Sequence, residues 1–160
     1  MMKYFSIPFA ACLCMNLATA HAQDMPPHHA HARAADNRVI LALSPDERAM
    51  ILEEMRLFLD GVGAMTGALG KQDMQATAAA ARGMGMKMVH EVPPELRAKL
   101  PMEFRQLGFS VHRDFDQIAM DADSLKDVSH TLNQMSATLQ KCVSCHAAYQ
   151  IRSPLNDDKH

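Results

Sequence analysis

An all-α fold, an antiparallel four-helix bundle, is the architecture this sequence predicts, on three observations. Apolar residues recur at steps of three and four through long stretches after residue 44. No stretch shows the strict alternation of a half-buried strand. Pro, Gly and capping residues fall where these stretches begin and end. The 160 residues suit one domain with its own core. A 48% hydrophobic content argues against compositional disorder, and a net charge of −2 without a basic excess argues against a nucleic-acid binder.

Residues 1–22 read as a secretory signal peptide: one early charge at Lys3, an apolar run from Tyr4 to Leu17, then small residues through Ala22. Cleavage is expected after Ala20 or Ala22, the second being preferred, and Cys12 and Cys14 leave with this segment. Acylation of Cys12 is disfavoured by Phe9 and by the short apolar segment before it. No later apolar run approaches the roughly 20 residues of a membrane span, so an exported, periplasmic protein is expected. Residues 23–43 read as a flexible tail with two Pro and with His28, His29 and His31, better taken as a solvated linker than as a chelating site.

The helical domain is expected over 44–152. Ser44, Pro45 and Glu47 form an N-cap, a first-turn Pro and a capping-box acid. Ile51, Met55, Phe58, Val62, Met65 and Leu69 then mark the buried stripe of a first helix that Gly70 stops. A second, Ala- and Met-rich helix is expected over about 73–89, with Gly83 and Gly85 weakening its end. Pro93 and Pro94 break the chain, a short helical turn covers 94–99, and Pro101 opens a third long helix carrying Phe104, Leu107, Val111, Phe115, Ile118 and Ala122. The last helix is expected to start near Ser124, with Leu125, Val128, Leu132, Met135 and Leu139 as its stripe and 153–160 as a C-terminal tail. Continued at the same steps, that stripe reaches Cys142, His146 and Tyr149, with Cys145 on its flank.

Cys142-Val143-Ser144-Cys145-His146 is the C-x-x-C-H pattern of c-type haem attachment. Residues three apart on a helix project from one side, so both thiols can form thioethers with one porphyrin, and His146 can then bind the iron. A zinc site needs about four ligands, and no second Cys pair survives export. A thioredoxin-like dithiol wants a βαβ frame that the pattern lacks, and a plain disulfide does not account for His146. One covalently attached haem c near the end of the last helix is therefore expected.

With that motif close to the C-terminus of a four-helix pattern, the chain resembles the class II c-type cytochromes, cytochrome c′ and the low-spin cytochromes of the c556 type, over roughly residues 40–152. Class I cytochromes carry the motif early and a Met ligand downstream, whereas no Met follows Cys145 here. The resembling family often has a basic residue four after the His; this chain has Gln150, with Arg152 as a cation nearby in sequence.

The resemblance implies that the first helix covers the far side of the iron. Met55, on the core stripe, is the expected second iron ligand; a register counted from Arg48 gives Leu52 instead, which leaves an open, apolar face. His112 is a further candidate donor, better read as a hydrogen-bonded or solvated His at the bundle edge. With Met55 bound, the expectation is an electron carrier rather than an enzyme. With the site open, it is a five-coordinate protein binding nitric oxide or carbon monoxide. Peroxidase-like turnover is weaker, since His112 is the sole candidate acid-base group. Expected partners are a periplasmic redox protein met through a small transient surface, and a second copy of the chain, since first-helix dimers occur in the family. No nucleic acid and no membrane span are expected.

Overall fold

The computed structural model describes residues 35–153, except the side chains of residues 90 and 91. The expected signal peptide with its cleavage sites, the His28–His31 segment and residues 154–160 lie outside the described residues. The described chain is mostly helical, as expected. Five α-helices follow one another: α1 (Pro45–Leu69), α2 (Met74–Gly83), α3 (Pro94–Lys99), α4 (Met102–Ser124) and α5 (Val128–Ala148), with a 3₁₀ turn at Met88–Glu91. None of these helices is long and apolar enough to cross a membrane.

The cap of α1 forms as the sequence implies. Glu47 N–H donates to Ser44 Oγ at 3.3 Å, and Ser44 N–H donates to Glu47 Oε2 at 2.9 Å, so two amides without helical partners are satisfied together. At the other end Gln72, not Gly70, takes the left-handed conformation, with φ 57°. Asp73 then caps α2 by accepting from Ala76 N–H at 2.9 Å.

Two boundaries differ from expectation. Helix α2 stops at Gly83, well short of 89, because Asp116 of α4 accepts the Met86 N–H at 3.0 Å and draws that strand of backbone out of the helix. Gly85 is required there, since a Cβ on it would lie 1.8 Å from Asp116 Oδ1. Gly85→Ala is expected to destabilise the fold by about 1–3 kcal/mol, as overpacked sites do, read from denaturant unfolding against the wild type. A loss near zero would mean that Asp116 swings away freely. The last helix starts not near Ser124 but at Val128, because Lys126 turns left-handed at φ 54° and Asp127 accepts from His130 N–H at 3.0 Å.

Helix α1 packs on α2, α2 on α4 and α4 on α5. Met65, Met84, Phe115 and Ile118 centre the main core, and Ala78 and Ala81 let the neighbours of α2 approach closely. The expected stripe of α5 is only partly right. Its buried residues are Thr131 and Thr138, while Leu132 is 41% exposed and Leu125 is an exposed residue of the preceding turn. The threonine hydroxyls donate back to the carbonyls of Asp127 and Gln134, so their polar atoms are satisfied inside the core.

The end of the expected tail, residues 39–43, is built into the fold. Val39–Ala42 form β1, which pairs in parallel with β2 (Tyr149–Arg152), Val39 opposite Tyr149 and Ala42 opposite Arg152. Leu41 and Leu43, 4% and 2% exposed, join Ile51, Leu96 and Leu100 in a second core. Four residues with one buried side are too short for a period-two signal to stand out. The sheet brings the residue before the α1 cap to the far end of β2, where Leu43 N–H donates to the Arg152 carbonyl at 3.1 Å.

Candidate functional site

The C-x-x-C-H sequence occupies the last turns of α5. Cys142 and Cys145 lie four and seven residues beyond buried Thr138, which puts both on the side of the helix turned toward its neighbours. Both are free thiols and half-buried, and burial raises the pKa of each above the ordinary thiol value, so both stay protonated at neutral pH. His146 lies beside them on the flank of Leu132 and Leu139, with its side chain exposed.

The sheet braces this end of α5. The Arg38 guanidinium donates to the His146 carbonyl at 3.4 Å and pairs with Asp36 at 2.6 Å. Gln150 Nε2 donates to the Arg38 carbonyl at 3.2 Å, and Tyr149 packs edge-on against Phe104 at 5.2 Å. The cation beside His146 thus comes from the segment before β1, not from the residue four after it. An Asn-Arg pair followed by the apolar run Val39–Ala42 was the only local signal for this brace.

Met55 and Leu52 are both half-buried on α1. Helices α1 and α5 are not among the closely packed pairs, but they meet where Thr66 Oγ1 lies 4.0 Å from Met135 Sδ.

His112 is not at an edge. It is 4% exposed, Nδ1 donates to the Met84 carbonyl at 2.9 Å, Nε2 lies 3.2 Å from Glu54 Oε1, and the Phe58 ring covers it at 5.0 Å. Both ring nitrogens are therefore engaged inside the protein. Burial acts to lower its pKa, but the hydrogen bonds His112 makes to Glu54 and to the Met84 carbonyl, with the Glu54 charge, outweigh it, and the net shift is upward. A raised folded pKa means the imidazolium stabilises the fold fully below the unfolded value of about 6.5, and that contribution is lost as pH rises through the folded value. Unfolding free energy measured from pH 5.5 to 9 is expected to fall across that upper window in the wild type, and the fall is expected to flatten in His112→Gln. Equal slopes in the two proteins would remove His112 as the cause.

Among the described residues no three His, Cys, Asp or Glu side chains gather into a metal cage. The donor set at the end of α5 is two free thiols and one imidazole beside an apolar flank, which fits a thioether-bound haem and does not complete a four-ligand zinc site. No family model, curated protein or solved structure matches the chain.

Proposed function

We propose that the chain is an exported, periplasmic c-type cytochrome that carries electrons through one covalently attached haem, on a four-helix bundle formed by α1, α2, α4 and α5. The observation that carries this reading is the pair of free, half-buried thiols Cys142 and Cys145 on one side of α5, followed at once by His146.

In this reading Cys142 and Cys145 hold the porphyrin through thioethers, each adding its sulfur and proton across one vinyl group, which requires no oxidant and releases no leaving group. Burial supports the protonated, unreactive state of both thiols before attachment. His146 supplies the proximal nitrogen, and the Arg38 hydrogen bond to its carbonyl fixes the backbone that carries it. Met55, half-buried on the core stripe of α1, would supply a thioether as the second iron ligand, and the engaged ring nitrogens of His112 disfavour that donor. When bound, the haem supplies a reversible one-electron couple between ferrous and ferric iron, and a thioether ligand favours the ferrous form. The partner is a redox protein met transiently, and the cytochrome itself is not an enzyme.

Covalent retention tests the reading. Protein exported from a host able to attach haem c should keep its haem after denaturation and solvent extraction. Extraction of all the haem from the wild type would refute the assignment.

A further inference from the structure

A second feature is lined by no residue of the C-x-x-C-H motif. A crevice of about 60 Å³ opens between α1, the turn after α2, α3 and α4, lined by Glu54, Arg97, Leu100, Phe104, Arg105 and His112 among others. Arg97 Nε and Arg105 Nε are both buried and both lack a hydrogen-bond partner. Arg97 is held in place, since its Nη2 donates to the carbonyls of Val89 at 3.3 Å and Val92 at 3.0 Å. The Arg105 side chain makes no ion pair or hydrogen bond among the described residues. The one carboxylate lining the crevice, Glu54, is committed to His112.

We propose that this crevice binds a small anion, a carboxylate or planar oxyanion of about the size of acetate, between Arg97 and Arg105. A guanidinium is cationic throughout the physiological range and offers N–H groups in a fixed fork, so two of them, each with an Nε left without an acceptor, favour a planar anionic ligand. Buried N–H groups normally find a partner, and the described residues supply none for either Nε. The volume suits a group of two to four heavy atoms and excludes nucleotides and sugars.

The test is the thermal midpoint of the haem-loaded protein in sodium acetate against equimolar sodium trimethylacetate, which has the same charge and is too bulky for the crevice. Acetate alone is expected to raise the midpoint saturably. Arg97→Gln also frees the Val89 and Val92 carbonyls and can fail to fold, so Arg105→Gln is the deciding variant. It is expected to raise the half-saturating acetate concentration at least tenfold, while Arg113→Gln on the exposed side of the same helix leaves it unchanged. Equal effects of the two anions, no saturation, or a wild-type response in Arg105→Gln would each overturn the site.

Discussion

A chain carrying Cys142→Ala and Cys145→Ala together should lose all covalently bound haem, so that solvent extraction after denaturation leaves it colourless. This is the largest effect expected of any substitution, because in the proposed reading each thiol would be the sole anchor for its side of the porphyrin, and the described residues include no other Cys. Each single variant should keep haem through the remaining sulfur, with the absorption maxima displaced toward those of a haem that retains one vinyl group. Expression level alone does not separate attachment from folding, so the readout is haem per chain in the purified protein. Full haem retention by the double variant would show that Cys142 and Cys145 are not the anchors, and the function proposed above would fall with them.

The second large effect concerns the far side of the iron. If Met55 is the distal ligand, the wild-type ferric protein is low-spin and its reduced form ignores carbon monoxide. Met55→Leu should then turn the ferric spectrum high-spin, let the reduced protein take up the gas, and lower the reduction potential, because a thioether that favours ferrous iron has been removed. The substitution conserves volume and apolar character at a half-buried position, so a stability loss below about 1.5 kcal/mol is expected and the spectral change is not a sign of unfolding. Carbon monoxide binding by the wild type would instead establish an open distal face and favour gas binding. A low-spin spectrum that survives Met55→Leu would move the ligand elsewhere, and His112 could serve only by giving up Glu54 or Met84.

Most helix boundaries could be read from local chemistry. Ser44, Pro45 and Glu47 form their cap within one turn, and Pro93, Pro94 and Pro101 act through backbone restrictions that need no tertiary partner. Where reading failed, a distant residue had decided the outcome. Asp116 ends α2 early by capturing Met86 N–H from thirty residues away. The buried side of α5 follows Thr131 and Thr138, whose hydroxyls are satisfied by their own helix, so hydrophobicity alone misjudged which stripe faces α4. The strand Val39–Ala42 forms by pairing with Tyr149–Arg152, more than one hundred residues on, and by burying Leu41 in the second core.

The motif that opened the functional reading belongs to the sequence by itself. Its spacing, its place near the C-terminus and its His are properties of five adjacent residues, and helical geometry alone sets both thiols on one side. Only the tertiary structure decided that His112 is buried against Glu54, that Arg38 braces the motif from the opposite end of the domain, and that two arginines line one crevice, each with an Nε that has no partner among the described residues. The reason is physical: spacing along a helix is set by local backbone geometry, whereas proximity across helices and the satisfaction of buried charge depend on which faces pack together.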